Sequence, residues 1–294
     1  MKKVIQIQKT LQKHWVGDGF PVRTIFTYND LAKQVSPFLL MDYAGPHEFK
    51  PTTERLGVGE HPHRGFETVT IVYDGQVEHR DSAGGGGVIQ NGDVQWMTAA
   101  SGLVHEEFHG EDFAKSGGRF EMVQLWVDLP KEFKMTKPRY QGIKNADIPV
   151  IPLAGDAGQV RVIAGRYQDK KGPALTFSPI DLWDIQVRSG AEVVLTMPEN
   201  QTTSLFVLSG EIKTSSGEVI QEAQLALFES AGNSLQFKAN QDTKMLFLGG
   251  MPLNHPVVGY GPFVMNSMQE IQQAFADFNA GKMGAMDPIA GSET

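Results

Sequence analysis

Between residues 68 and 128, short β-branched and aromatic runs alternate with glycine-rich breaks. In order they are TVTIVY, Asp74-Gly75, QVEHR, the glycines 84–87, VIQ, Asn91-Gly92, DVQWM and then EMVQLWV. Short strands punctuated by turn signals in this way predict an antiparallel sandwich or barrel. The glycine run leads into another strand and turn, not into a helix N-terminus bearing a lysine, so it reads as a loop and not as a phosphate cradle. A second set of strand-like runs follows: AEVVLTM, SLFVLSGEIK, QLALF, SLQFKA and KMLFLGG. Between the two sets, residues 129–152 lose the rhythm and gather Lys and Pro, which predicts a connection between domains. Near the end, SMQEIQQAFADFNAGKMG sets Met268, Ile271, Phe275 and Phe278 at helical spacing, with Ser267 as N-cap and Gly281 as stop. This predicts one short closing helix whose apolar stripe serves packing.

The two strand sets resemble each other. Val72-Tyr73-Asp74-Gly75-Gln76-Val77 matches Val207-Leu208-Ser209-Gly210-Glu211-Ile212 at an offset of 210 minus 75, or 135 residues. Further on, Ser101-Gly102 aligns with Ala231-Gly232 at an offset of 130, so the second copy has the shorter intervening loop. One fold used twice suits a length of 294 residues, and the expected domains are residues 1–133 and 134–294.

Composition narrows the function classes. Hydrophobic residues at 40% and charged residues at 20% describe an ordinary globular protein. A net charge of -8 and a pI near 5.5 argue against a phosphate-neutralising surface, so no direct nucleic-acid contact is expected. The absence of cysteine removes disulfides, thiolate nucleophiles and sulfur-ligated zinc, leaving nitrogen and oxygen as the possible metal donors. The opening MKKVIQIQKTLQKHW alternates apolar and polar residues where a signal peptide needs a continuous apolar core. No run approaches the ~20 apolar residues of a membrane span, so no membrane contact and a cytoplasmic location are expected.

Six of the eight histidines (His47, His61, His63, His79, His105 and His109) fall between residues 47 and 109. In His61-Pro62-His63 on a strand, both imidazoles project from one face with Cα atoms roughly 6.6 Å apart, within reach of a single ion. His105-x-Glu107 repeats the geometry, so two adjacent strands offer four converging donors. Glu67 shares strand parity with His61 and His63 and is an alternative carboxylate. His109 shares parity with His105 and is a candidate to support the ligands from behind. His47 and His79 lack a partner at ligand spacing and read as structural or solvent-exposed. Phe66, Trp96, Met97 and Phe108 are candidates to wall an aromatic pocket, although strand residues of this kind are more often plain core.

HPHRGFETVT, NGDVQWMTAASGLVHEEF, QLWVDLP and PFVMNSMQEIQQAFADFNAGKMG resemble, in order and over nearly the whole chain, the hallmark segments of the pirin family within the cupin superfamily. The general cupin motifs are only partly kept: Arg55 stands where a Gly is usual, Ala100 where a Pro is usual and His109 where an Asn is usual, departures that pirins share. The resemblance implies an all-β bicupin fold of two jelly-roll sandwiches. It also implies a metal held by His61, His63, His105 and Glu107, with Glu107 preferred to Glu67. In the second copy, Thr196, Pro198, Leu235 and Phe237 align with those four positions and none suits such an ion, so that domain is expected to be metal-free.

Three imidazoles and one carboxylate leave two positions open on a six-coordinate ion. By resemblance the ion is one divalent Fe(II), with Ni, Cu, Zn or Mn compatible with the same donors, and the activity is quercetinase: O₂-dependent cleavage of a flavonol's central ring with release of carbon monoxide. The partners are then an aromatic small molecule and O₂, and Glu107 is both ligand and catalytic base. Two other readings stand beside this one. One is a non-enzymatic regulatory protein whose metal alters a surface that binds a transcription factor or metabolic enzyme. The other is a different cupin reaction.

Overall fold

Alternating strands need two partners at their edges and one face against a core, and in the computed structural model, which describes residues 1–286, both predicted strand sets meet this need in the same way. Each set forms a seven-stranded and a four-stranded antiparallel sheet. In the C-terminal set, Val193, Leu195, Leu235 and Phe237 of the smaller sheet pack with Trp183, Ile185, Leu205, Met245 and Phe247 of the larger in one buried cluster. Trp183 and Phe247 stack there at a centroid distance of 4.2 Å. In the N-terminal set, Val77 and Ile89 of the smaller sheet pack with Phe20, Val72, Phe120 and Met122 of the larger. The all-β bicupin expectation therefore holds: the chain carries two jelly-roll sandwiches and the short helix Met268–Asn279.

The internal repeat is visible in the backbone. Strands Phe66–Asp74 and Gln76–Asp81 turn at Gly75, and Thr202–Ser209 and Glu211–Thr214 turn at Gly210. Both glycines adopt positive φ, at 90° and 88°, which a side chain would oppose.

The chain divides differently from the expected cut at 133/134. One unit comprises residues 1–12, 23–41 and 143–253; the other comprises 13–22, 42–142 and the described residues from 254 onward. The first strand, Val4–Lys9, leaves its own half because the edge strand Gln224–Phe228 offers an open hydrogen-bonding side, with Ile7 opposite Ala226. The C-terminal helix buries Ile271 and Ala274 in a cluster with Val104, Phe263 and Met265, all in the second unit. Residues 129–152 are not a plain connection either, since Arg139–Ile143 adds a strand beside Val94–Thr98.

The helix itself begins and ends as its sequence predicts. The Ser267 side chain accepts the Glu270 N–H at 3.2 Å, and Gly281 turns the chain away at φ 71°. The predicted stripe is only partly buried: Ile271 and Ala274 face inward, whereas Met268 is 53% and Phe278 37% exposed. Asp277 on the same helix bonds Arg64, whose guanidinium also donates to the Ser101 carbonyl at 2.7 Å.

A buried cation closes the same unit. Lys134 Nζ donates to Asp128, to the Gly65 carbonyl at 2.7 Å and to the Val264 carbonyl at 3.0 Å. Both side chains are 2% exposed, so removing one partner strands a charge away from water. Asp128→Ala is expected to destabilise this protein by about 3–5 kcal/mol, and the double change Asp128→Leu with Lys134→Met by clearly less. Urea unfolding of the two variants checks this; equal losses would mean that the charge pair is not what the site requires.

Candidate metal centre

The site lies on the smaller sheet of the second unit, whose strand order is Gly57–His63, Leu103–His109, Gln76–Asp81 and Gly86–Gln90. Register explains the convergence. His105 sits opposite His61 on one side and Asp81 on the other, while Glu107 sits opposite His79. Directly paired residues point to the same face, so His61, His63, His105, Glu107, His79 and Asp81 all project into the sandwich. An irregularity between His105 and Glu107 sets Glu107 opposite Val58, which absorbs one extra residue in the His61 strand.

Two donor groups result. His61, His63 and His105 each bring a ligand atom within 4.8 Å of the others, and so do His79, His105 and Glu107. His105 belongs to both. Ring centroids separate His61 from His105 by 4.2 Å and His63 from His105 by 4.8 Å. His61 Nδ1 faces the Gly59 carbonyl at 2.8 Å and His63 Nδ1 the Pro262 carbonyl at 3.2 Å, so both donate there and keep Nε2 as a free lone pair. His105 Nε2 is buried and, among the described residues, has no hydrogen-bond partner. An orphaned ring nitrogen beside two other free ones fits an N,O-coordinated divalent ion.

Burial keeps the His63 and His105 rings neutral. Loss of solvent, followed by the nearby His61 ring, pushes the His63 pKa down to about 3, against a small opposing effect of the Pro262 carbonyl. Burial, then His63, His61 and His79, holds His105 well below the ordinary histidine value. Neutral rings are the form that binds a metal.

Glu107 is aimed from the opposite sheet. Gln95, Thr70 and Gln124 are cross-strand neighbours there: the Gln95 and Gln124 amides donate to Glu107 at 3.4 Å and 3.3 Å, and the Thr70 hydroxyl donates to Gln124 Oε1 at 2.6 Å, which leaves the Gln124 nitrogen to face Glu107. The sequence signal for this row is a polar residue at an inward position of each apolar strand, and sequence reasoning passed over it. His61, His63 and Glu107 open onto a cavity of about 430 Å³ walled by Phe20, Val22, Met122, Trp126 and Pro262. Trp126 lies 5.3 Å from His63 and 4.3 Å from Phe66, centroid to centroid.

Other candidates lie elsewhere or in other roles. Glu67 sits on the larger sheet, accepting from Thr98 at 2.6 Å with Arg139 3.8 Å away, and joins neither donor group. His109 donates to the Gly19 carbonyl at 2.8 Å within a cage that includes Phe20, Phe49 and Phe120, so it does not support the ligands. His79 is fully buried, so of the two readings given for it, structural or solvent-exposed, the second falls, and it touches His105. Phe66, Trp96 and Met97 are fully buried core and do not line the cavity, and Phe108 lies under the Arg55 guanidinium. In the second sandwich, Leu195 is paired with Leu235 as His61 is with His105, so the matching positions are Leu195 and Met197, not the exposed Thr196 and Pro198. A slip of one residue inverts a strand's faces. The corrected set, Leu195, Met197, Leu235 and Phe237, is wholly apolar core.

Burial pushes the Glu67 carboxyl up to about 7, against the hydrogen bond from Thr98 and the charge of Arg139. A raised carboxyl favours the fold below the unfolded value, near 4.5, and that contribution is lost as pH rises through 7. Glu67→Gln is therefore expected to gain about 3 kcal/mol relative to wild type between pH 4.5 and pH 8. Urea unfolding across that range tests it, and a gap that stays constant would show that Glu67 ionises normally.

Comparisons with known proteins identify the family. The Pirin family model matches residues 19–127, and that of the Pirin C-terminal cupin domain matches residues 182–284. A "Putative quercetin 2,3-dioxygenase" of Pseudomonas aeruginosa is 55% identical over 282 residues, covering 96% of this chain and 98% of that protein. A "Pirin-like protein" of Solanum lycopersicum is 37% identical over 271 residues, covering 91% of this chain and 88% of its own. The crystal structure of a quercetin 2,3-dioxygenase from Acinetobacter baumannii superposes with a TM-score of 0.95 at 52% identity, over 98% of this chain and all of that one.

Proposed function

Because this chain belongs to the pirin family, we propose that it is an Fe(II)-dependent dioxygenase that cleaves the central ring of a flavonol with O₂ and releases carbon monoxide. The observation that carries this reading is the orphaned Nε2 of His105 grouped with the free ring nitrogens of His61 and His63, next to a cavity that His61, His63 and Glu107 line. His61, His63, His105 and Glu107 are the proposed ligands. Iron held by three neutral imidazoles and one carboxylate would supply a Lewis acid with open positions and a redox partner for O₂.

The remaining roles belong to the chain. Trp126, Phe20 and Met122 offer flat and apolar surface to an aromatic ring system and exclude water from it. Glu107, with Gln124 on Oε2 and Gln95 on Oε1, is held so that its carboxylate can accept the proton of the flavonol hydroxyl. The donors to both oxygens restrict the carboxylate's rotation, so the proton is taken at a defined place.

Metal-stripped protein reconstituted anaerobically with Fe(II) and then given quercetin and air is expected to release carbon monoxide and consume the flavonol. His61→Ala should lose both iron and at least about 100-fold of the rate, as removal of a ligand from a catalytic metal does. Iron-loaded wild type that leaves flavonols intact would overturn the substrate assignment. Trp126→Ala, which alters the cavity wall and no ligand, is expected to raise KM about tenfold while retaining iron. An unchanged KM would place the flavonol elsewhere.

A further inference from the structure

His79 and the glycine run at 84–87 have no part in the roles assigned so far, yet they adjoin the site. The chain of contacts begins at Asp81. Its Oδ1 accepts the backbone N–H groups of Ala83 at 2.9 Å and Gly85 at 2.8 Å, and its Oδ2 faces His79 Nε2 at 3.3 Å. A carboxylate can only accept, so the proton of the His79 ring lies on Nε2. His79 Nδ1 is then a lone pair, and two groups face it: the Gln95 amide nitrogen at 3.3 Å and His105 Nδ1 at 3.3 Å. The Gln95 oxygen is turned to the Tyr140 hydroxyl at 3.5 Å, which leaves its nitrogen to donate. His105 must donate from Nδ1, and its remaining lone pair is the buried, unpartnered Nε2.

His61, His63 and His105 each spend one ring nitrogen on the protein and keep the other free, whereas His79 spends both. His79 is thus a support, although it lies close enough to count among the donors. We propose that Asp81 and His79 are positioning residues that fix His105 as the Nδ1–H tautomer and so present its Nε2 lone pair to the metal. The proposal rests on the reading of His105 as a ligand and adds to it how that ligand is set.

The glycine run makes the arrangement possible. A Cβ on Gly85 would fall 2.4 Å from Asp81 Oδ2 and 2.7 Å from Tyr140 Cβ, and one on Gly86 would fall 2.7 Å from the His79 carbonyl. Tyr140 in turn stacks on His79 with an interplanar angle of 18° and a centroid distance of 5.3 Å. Glycines therefore let the loop fold tightly enough to deliver its amides to Asp81 while the tyrosine covers the ring.

The test inverts the chain without changing its shape. In Asp81→Asn the amides of Ala83 and Gly85 still demand an oxygen, so the new side-chain nitrogen must face His79, which then accepts at Nε2 and donates from Nδ1. His105 is forced to accept at Nδ1 and to carry its proton on Nε2, where the metal should bind. Metal-free protein should show this by ¹⁵N NMR as a change of the His105 tautomer from Nδ1–H to Nε2–H. Titration of the full chain with Co(II) against a competing chelator should show affinity about 10–100-fold weaker than wild type.

His79→Gln, which keeps an acceptor for His105, should bind Co(II) more tightly than His79→Leu, which keeps none. This pair decides the matter if Asp81→Asn does not fold, and their urea midpoints separate a tautomer effect from general destabilisation. Unchanged Co(II) affinity and an unchanged His105 tautomer in Asp81→Asn, or equal affinities in the His79 pair, would overturn the proposal while leaving the metal site in place. Wild type that takes up no Co(II) would instead remove the ligand reading and the proposal with it.

Discussion

Polar rings and carboxylates buried between two sheets are tolerated only if their donors and acceptors are matched, and that requirement organises the N-terminal sandwich. Nearly every polar atom around His105 is spoken for: Asp81 by two backbone amides, His79 at both nitrogens, Glu107 by Gln95 and Gln124. His105 Nε2 is left over. An interior that satisfies its neighbours and leaves one lone pair exposed to two others has a cost that a bound cation would offset.

The same requirement accounts for the contrast between the two copies. Strand pairing, turn glycines and sheet composition recur, so the backbone problem is solved once and used twice. In the C-terminal copy, Leu195, Met197, Leu235 and Phe237 take the positions of the donors and join one continuous apolar core. With no polar side chain at those four positions, that core needs none of the supporting amides and glutamines there. The glycine loop that serves Asp81 in the first copy likewise has a shorter counterpart in the second.

The family relationship fits this division. Both halves match the corresponding pirin models, and the Acinetobacter baumannii structure superposes over nearly the full chain. The oxidative role proposed for the site adds to that relationship an orphaned nitrogen, an oriented carboxylate and an aromatic-walled cavity, all within one unit.

Local pattern was enough to reveal the strands, the repeat, the closing helix and the pairs His61/His63 and His105/Glu107, because alternation and turn chemistry act over a few residues. The same alternation misplaced the second copy's positions by one, since parity counted along a chain does not survive an error in where a strand begins. His79 looked isolated because its partners, His105 and Gln95, are brought to it by register across strands and by the facing sheet. The swapped first strand and the buried Lys134 were equally out of reach of local pattern. Edge pairing and charge burial depend on what is adjacent in space, and only the folded chain decides that.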